Sequence, residues 1–215
     1  MTGREALTRG ALWSLGGGPG SLSYRVFDGA RNRLNRRLAA WLRRRLPRTG
    51  PLQTLEAGSG PGYCSSRLAT TGDVHATILD WDAEPLTLAC RRDPGLAVVR
   101  GDLYALPFPN AAFDLVFSSS TMEHLDDFGR ALREMARVTR PGGLVFVGVP
   151  YRWGPFVPFN LAPPGRAISI WMGRLYSLHA LRRACLTDGL RARATHLYFF
   201  GCFVGVLLER DRPGG

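Results

Sequence analysis

The amino-acid sequence predicts an α/β fold built on a doubly wound, mostly parallel sheet of seven strands. Short apolar runs alternate with helix-like stretches between residues 52 and 150, and two further runs lie near the end of the chain. Short runs rich in β-branched and aromatic residues, with little polar alternation, are typical of strands covered on both faces. Strands that alternate with helices form parallel sheets through right-handed crossovers.

Seven apolar runs are predicted to form the strands of this sheet. They are Leu52–Ala57, Ala76–Leu79, Leu96–Val99, Phe113–Phe117, Leu144–Val149, Arg193–Phe199 and Phe203–Glu209. We expect the last two to pair through a tight turn near Gly201, because glycine allows the positive φ that such turns need.

Two helices in the second half of the chain are predicted from the same kind of pattern. One lies between the fourth and fifth strands, with Asp126 and Asp127 at its N-terminus, where acids favour the helix dipole. Its apolar residues recur at helical spacing, arginines occupy its last turns, and Pro141-Gly142-Gly143 is expected to end it. The other is expected over Tyr176–Leu190, with Gly189 as its stop.

The charge of the chain is concentrated near its beginning. The 215 residues include 28 basic and 17 acidic side chains, which gives a formal net charge of +11. Every basic residue is arginine, which reflects genome composition as well as binding, so the charge is weak evidence for a nucleic-acid partner. Nine arginines fall between Arg25 and Arg48, in a basic helix with an apolar face. Residues 1–49 are predicted to be a helical extension or lid, and residues 50–215 the main domain.

Several classes of protein are not supported by the sequence. No segment is long and apolar enough for a transmembrane helix, and we expect no signal peptide at the N-terminus. The four scattered cysteines favour a reduced, cytoplasmic protein. The histidines do not follow a metal-binding spacing, so we expect no metal site.

A glycine-rich turn follows the first predicted strand, in the sequence Glu56-Ala57-Gly58-Ser59-Gly60-Pro61-Gly62. Glycine lets a ligand approach the backbone closely. The nicotinamide fingerprint would place its third glycine at position 63, which is Tyr63 here. The carboxylate of Glu56 suits a ligand with an ammonium group better than a phosphate. Taken alone, the cluster is equally typical of a plain strand-to-helix turn.

Two more acids follow the next two predicted strands. Asp80 ends the second strand, and its carboxylate can accept hydrogen bonds from both hydroxyls of a ribose. Asp102 follows the third strand, where it can accept from an adenine amine while the Leu103 N–H donates to a ring nitrogen. Ligands of open α/β sheets bind at the carboxyl ends of the strands, so the three acids together favour a shared binding site.

These motifs resemble the class I S-adenosylmethionine-dependent methyltransferases, of the type 11 methyltransferase-domain group. The resemblance covers about residues 50–210 and rests on four stretches besides the glycine turn: Asp80-Trp81, Gly101–Phe108, Phe113–Leu125 and Arg140–Gly143. It implies a Rossmann-like methyltransferase fold and S-adenosyl-L-methionine as the cofactor. The cofactor-binding residues that it implies are Glu56, Gly58, Ser59, Gly60, Gly62, Asp80, Trp81, Asp102, Leu103 and Ser118. Trp81 would cover the adenine, and the backbone carbonyl of Ser118 would face the amino-acid end.

The methyl acceptor is predicted from its surroundings only. Methylation at oxygen or carbon of a small hydrophobic acceptor is the hypothesis, for example a phenol, a quinol or a lipid-like molecule. His124 is the best-placed candidate for a general base, although a residue that caps or packs at the start of the following helix is the favoured interpretation. Glu123 and Tyr151 are lesser candidates, and no metal is needed because the sulfonium methyl is already electrophilic.

Aromatic residues flank this side of the sheet, in Trp153–Phe156 and Phe199–Phe203, beside the arginine-rich helix. An apolar rim next to basic residues suggests peripheral contact with an anionic membrane. The aromatics fit core positions and the arginines a solvated helix face equally well. Two rival functions remain: a nucleic-acid methyltransferase or RNA-binding module that uses the basic helix, and a non-catalytic relative that binds the cofactor. The first is disfavoured because the Asn/Asp-Pro-Pro-Tyr/Phe motif is missing after the fourth strand.

Overall fold

Seven strands form one sheet in the order β3-β2-β1-β4-β5-β7-β6. The computed structural model of the protein describes residues 22–47, 50–155 and 173–212. The strands are β1 (Leu52–Ala57), β2 (Val74–Asp80), β3 (Ala97–Arg100), β4 (Phe113–Ser119), β5 (Thr139–Pro150), β6 (Leu190–Tyr198) and β7 (Phe203–Arg210). The helices are α1 (Leu22–Arg43), α2 (Tyr63–Ala69), α3 (Ala83–Arg92), α4 (Phe128–Val138) and α5 (Leu178–Ala184), with a 3₁₀ turn at Met122–His124.

The sheet is parallel except around β7. Strands β1 to β5 pair in parallel, whereas β7 runs antiparallel to both β5 and β6. The mostly parallel seven-stranded fold is therefore confirmed. The C-terminal ends of β1 to β5 and of β6 therefore lie at the same edge of the sheet, which we call the carboxyl edge.

The predicted strands are found, with some different limits. The helix expected over Tyr176–Leu190 is wrong in length, because α5 ends at Ala184 and Leu190 already pairs with Arg210 as the first residue of β6. Helix α4 ends at Val138, since Thr139 has an extended backbone and pairs with Phe113 of β4. The Pro141-Gly142-Gly143 stretch consequently lies within β5 and does not end the helix.

The core is divided between the two faces of the sheet. Helices α4 and α5 cover one face, where Leu132, Met135 and Leu181 are buried against the strands. Helix α1 packs with α2 on the other face, and Leu38 and Leu42 of α1 are buried there. This confirms part of the apolar face predicted for the basic helix. The boundary between an extension and a main domain at residue 49 stays a prediction.

Two glycines on β5 and β7 leave room for aromatic rings on the α1 face. A Cβ added at Gly148 would lie 1.9 Å from the Tyr198 hydroxyl, and one at Gly205 would lie 2.3 Å from Phe146 Cζ. The Tyr198 hydroxyl reaches Ser119 Oγ at 2.9 Å. The tyrosine side chain thus connects the outermost strand, β6, to the end of β4. None of the described helices has the length and apolar character needed to cross a bilayer.

Candidate cofactor and acceptor site

The glycine turn after β1 is held between β2 and the loop that follows β4. Gly58, Gly60 and Gly62 all have positive φ, of 73°, 51° and 63°. The Gly58 and Ser59 N–H groups donate to the Leu79 carbonyl at 2.8 and 3.0 Å. A Cβ added at Gly58 would lie 2.4 Å from Thr121 Cγ2, so a side chain cannot fit without a shift of the neighbouring loop.

Glu56 lies under this turn and is the next-to-last residue of β1. Its side chain is buried, and Oε2 accepts a hydrogen bond from the Ser65 N–H of α2 at 3.0 Å. Burial raises the pKa of Glu56 to about 7, although the bonds with Ser65 and the charge of Arg92 offset part of this effect. A cation bound beside Glu56 would restore its ionised form.

Asp80 is the last residue of β2 and fixes the glycine turn to the start of α3. One carboxylate oxygen accepts from the Gly60 N–H at 2.8 Å, and the other accepts from the Asp82 N–H at 3.1 Å. Burial raises the pKa of Asp80, while these backbone bonds act in the opposite direction. The neighbouring acid, Asp82, caps α3 by accepting from the Glu84 N–H. This capping bond gives Asp82 a structural role that the sequence did not indicate.

The loop after β3 places a third acid beside Asp80. The Gly101 N–H donates to the Asp80 carbonyl at 3.0 Å, so Asp102 follows directly beside Asp80. The Asp102 carboxylate is exposed and accepts from the Tyr104 N–H at 2.8 Å, whereas the Leu103 side chain is buried in the core. Glu56, Asp80 and Asp102 therefore lie at one edge, connected through backbone hydrogen bonds. Trp81 stands next to them with its ring half exposed.

The end of β4 and the loop that follows it contribute two residues of different kinds. Ser118 is fully buried, and its hydroxyl has no hydrogen-bond partner within the described part of the chain. The Thr121 hydroxyl donates to the Gly58 carbonyl at 2.8 Å. Thr121 was missed from the sequence, because nothing in its local pattern indicates a contact with a turn 63 residues earlier. This hydrogen bond places the β4 loop directly against the glycine turn.

His124 and Glu123 follow in the 3₁₀ turn at the carboxyl edge. The His124 Nε2 atom lies 3.9 Å from Glu123 Oε1, with histidine side chain 22% exposed and glutamate side chain 0% exposed. Burial lowers the pKa of His124, which favours a neutral imidazole. The capping role considered for His124 belongs instead to Asp127, whose carboxylate accepts from the Arg130 N–H at 2.8 Å.

Two tyrosines that lie between β5 and α5 line the other side of this turn. Tyr151 forms a bridge with Tyr176, and the Tyr176 N–H donates to the Pro150 carbonyl at 3.0 Å. Trp153 follows with its side chain 69% exposed, while Phe156 lies outside the described residues. The carboxyl edge is therefore acidic beside β1 to β3 and aromatic beside β5.

A basic groove lies between α1 and the turn after β6, and none of the three acids lines it. Its volume is about 430 Å³, and its walls include Arg37, Trp41, Arg44, His196 and Phe200. Trp41 stacks on His196 with ring centroids 4.3 Å apart, and Phe200 is 76% exposed beside the Arg37 guanidinium. The predicted aromatic turn thus projects from the surface at Phe200.

Known proteins are similar to this chain in both sequence and fold. Residues 55–147 match the family described as a methyltransferase domain. A malonyl-[acyl-carrier protein] O-methyltransferase from Erwinia billingiae is 36% identical over 128 residues, which are 60% of this chain and 49% of that protein. A protein of Mycobacterium tuberculosis named a probable S-adenosylmethionine-dependent methyltransferase is 36% identical over 49% of this chain and 38% of its own length. The matched segments span half or less of these relatives.

Solved structures extend the likeness in fold to most of the chain. A chain of the Haloferax volcanii complex that contains the Trm112 methyltransferase activator has a TM-score of 0.70 and 21% identity, over 86% of this chain and 93% of that chain. An S-adenosylmethionine-dependent methyltransferase from Aquifex aeolicus has a TM-score of 0.66 and 16% identity, over 83% and 93%. The matched family confirms the recognition and the cofactor that the motifs predicted. Residues 55–147 therefore form a methyltransferase domain of the type 11 group of class I S-adenosyl-L-methionine-dependent methyltransferases.

Proposed function

We propose that this protein transfers a methyl group to an oxygen or carbon atom of a small apolar acceptor, such as a phenol, a quinol or a lipid-like molecule. The observation that carries the proposal is the set of three acids at the ends of β1 and β2 and just after β3. Asp80 accepts from the Gly60 N–H of the glycine turn, Glu56 accepts from the Ser65 N–H of the helix that follows it, and the Gly101 N–H beside Asp102 donates to the Asp80 carbonyl. Transfer to oxygen is further supported by the Erwinia billingiae relative, because that protein is named an O-methyltransferase.

The residues of the carboxyl edge fit S-adenosyl-L-methionine. This cofactor supplies a methyl group on a positively charged sulfur, so the main work of the protein is to position the acceptor. The buried Glu56 suits the ammonium group because a cation would favour its ionised form. Asp80 would accept from the ribose hydroxyls, and Asp102 with the Leu103 N–H would hold the adenine. The remaining contacts are assigned to Gly58, Ser59, Gly60, Gly62, Trp81 and the Ser118 carbonyl.

His124 is proposed as the group that receives a proton from a hydroxyl acceptor. Its neutral imidazole can accept a proton, and part of its side chain is exposed at the carboxyl edge. Tyr151 and Trp153 would form the apolar wall on which the acceptor lies. Acid–base assistance of this kind requires that the imidazole reach the acceptor hydroxyl directly or through one water.

Calorimetry with S-adenosylhomocysteine tests the cofactor site. We expect Asp80→Ala to weaken binding by about 1–3 kcal/mol, the value for a lost set of ligand hydrogen bonds. Asp188→Ala is the matched control, since Asp188 is an exposed acid before β6 at the opposite edge of the sheet. Equal affinities for the two variants would contradict the assignment. A wild-type protein that binds nothing would instead favour a non-catalytic relative.

A screen of acceptors then tests the reaction itself. Phenols, quinols, lipid extracts, carboxylates linked to an acyl carrier protein, and nucleic acids are incubated separately with the protein and S-adenosyl-L-methionine, and S-adenosylhomocysteine is measured. Apolar hydroxyl acceptors are expected to give product. Turnover limited to nucleic acids would refute the proposal and support the rival function.

We further propose that the basic groove contacts an anionic membrane. Phe199 and Phe200 both have positive φ, of 51° and 56°, a conformation that is strained for bulky residues and that keeps Phe200 exposed. Leu197 is also more than half exposed beside it. Apolar side chains surrounded by arginines are typical of a surface that inserts into the headgroup region. An apolar acceptor would then reach the site from the bilayer.

Co-sedimentation with anionic liposomes at moderate salt tests this second proposal. Neutralising Arg36, Arg37 and Arg44 together with Phe200→Ser is expected to abolish binding. Arg43 is left unchanged because its guanidinium forms an ion pair with Asp73 and donates to a backbone carbonyl. Neutralising the exposed arginines at 133, 182 and 183 is the control for net charge. Equal loss in both variants, or no binding by the wild-type protein, would end the membrane hypothesis.

A further inference from the structure

Glu123 is a buried carboxyl group that the proposed cofactor contacts do not use. Neither of its oxygens has a hydrogen-bond partner of acceptable geometry in the described part of the chain. Burying such a group without a partner destabilises the folded state by several kcal/mol in apolar surroundings. A ligand that interacts with the carboxyl group would account for this unfavourable arrangement.

The position of Glu123 places it between the glycine turn and the aromatic side of the carboxyl edge. Thr121, two residues earlier, donates to the Gly58 carbonyl. On the other side, the Arg174 N–H donates to the Glu123 carbonyl at 3.2 Å, and a Cβ added at Gly173 would lie 2.9 Å from Glu123 Cγ. If the three acids hold the adenosine and ammonium parts beside β1 to β3, as the proposed function requires, the sulfur and its methyl group would lie toward β4 and Glu123.

Among the described residues, the groups around Glu123 do not hold a fixed countercharge against it. His124 is favoured in its neutral form, and burial raises the pKa of Tyr176 and of Tyr198, so both phenols are neutral at pH 7. The Arg174 guanidinium is more than half exposed and lies 3.8 Å from Asp126. Burial consequently raises the pKa of Glu123 to about 8, while the Ser120 hydroxyl and the Glu123 N–H lower it only in part.

We propose that Glu123 takes up the proton that the methyl acceptor loses, and that the positive charge on the cofactor sulfur keeps Glu123 ionised until transfer occurs. This inference rests on the proposed function. A cation near a buried carboxyl group favours the carboxylate, and this effect ends when the sulfur becomes neutral. Glu123 then returns to its protonated form, which provides a driving force for removal of the proton.

The proposed step balances in atoms and charge. The acceptor atom forms its bond to the methyl carbon while the sulfur–methyl bond breaks, and that bond's electron pair stays with sulfur. The acceptor's proton passes to Glu123. Where the acceptor is a hydroxyl, it would pass through His124, whose Nε2 lies 3.9 Å from the carboxylate and must approach it by about 1 Å to donate the proton directly. His124 is neutral before and after the step, and Glu123 changes from carboxylate to carboxylic acid.

Proton release measured by calorimetry tests the inference without an acceptor. S-adenosyl-L-methionine and S-adenosylhomocysteine are titrated into the protein at pH 7.5 in buffers of different ionisation enthalpy. Both compounds carry the same ammonium group, so protons released by Glu56 cancel in the difference between them. A carboxyl group with a pKa of about 8 is about three-quarters protonated at this pH. We expect the sulfonium compound to release up to about 0.7 of a proton more than the neutral one.

Two variants identify the group that titrates. Glu123→Gln is expected to remove the difference while it binds S-adenosylhomocysteine as tightly as the wild-type protein, which also shows that it folds. His124→Asn is expected to keep the difference, because a neutral imidazole contributes no proton at pH 7.5.

Each outcome of this experiment decides between the proposals. A full difference in Glu123→Gln, or binding of both compounds to the wild-type protein with equal proton release, would overturn the role of Glu123 alone. Loss of the difference in His124→Asn would also overturn it, by assigning the titration to the imidazole. Failure of the wild-type protein to bind either compound would overturn the proposed function together with this inference.

Discussion

Replacing Gly58 with alanine adds one methyl group at the centre of the glycine turn. The new Cβ would lie 2.4 Å from Thr121 Cγ2 and 2.7 Å from its Oγ1, and the residue would keep a φ of 73°. The left-handed conformation costs about 1–2 kcal/mol for a non-glycine residue. Overpacking against Thr121 adds about 1–3 kcal/mol. We therefore expect the free energy of unfolding to fall by about 2–5 kcal/mol.

Gly72 provides the matched control for this substitution. Its φ is 78°, but no atom of the described residues lies within 4 Å of an added Cβ, so Gly72→Ala should show the conformational cost alone. The two variants are compared by urea denaturation and by calorimetry with S-adenosylhomocysteine. Gly58→Ala is expected to weaken binding as well, because Thr121 must move away from the turn. Equal stability losses in the two variants, with unchanged binding, would refute the reasoning.

Three further predictions concern stability. Burial raises the pKa of Glu123 from 4.5 to about 8, so the folded state holds this proton more tightly than the unfolded state does. The free energy of unfolding of the wild-type protein, relative to that of Glu123→Gln, should therefore fall as the pH rises from 5 to 8. Denaturant titrations at several pH values measure this difference. An unchanged stability difference across this range would contradict the burial of Glu123. Asp114→Ala removes a buried partner of Arg140 and should lower the free energy of unfolding by about 3 kcal/mol in urea, and an unchanged value would contradict this pairing. Asp127→Ala should cost about 1 kcal/mol through loss of the α4 cap, whereas the fully exposed Asp126→Ala should have little effect in the same assay.

The sequence was sufficient for the sheet because the strands depend on local patterns. A run such as that in β4 is apolar at nearly every position, and a strand buried on both faces requires this. The limits of the elements were less predictable where a tertiary contact decides them. Thr139 leaves the helix because it pairs with Phe113, and that partner is far away in sequence.

The site was predictable to the extent that it follows strand ends. Glu56, Asp80 and Asp102 were placed correctly at one edge because parallel strands bring their carboxyl ends together. Contacts between distant loops were not predictable, and the Thr121 bond to the glycine turn is the clearest example. The burial of the Glu123 carboxyl group without a hydrogen-bond partner among the described residues could not be predicted from the sequence either, since it is a property of the assembled fold.

The close approach of Gly148 to Tyr198 and of Gly205 to Phe146 has an evolutionary consequence. A larger residue at either glycine is tolerable only when the facing ring becomes smaller or moves. We therefore expect these positions to vary together among orthologues, with glycine retained wherever the rings are retained. A designer who wishes to change the rings packed on the α1 face of the sheet must therefore change each ring together with the glycine that faces it.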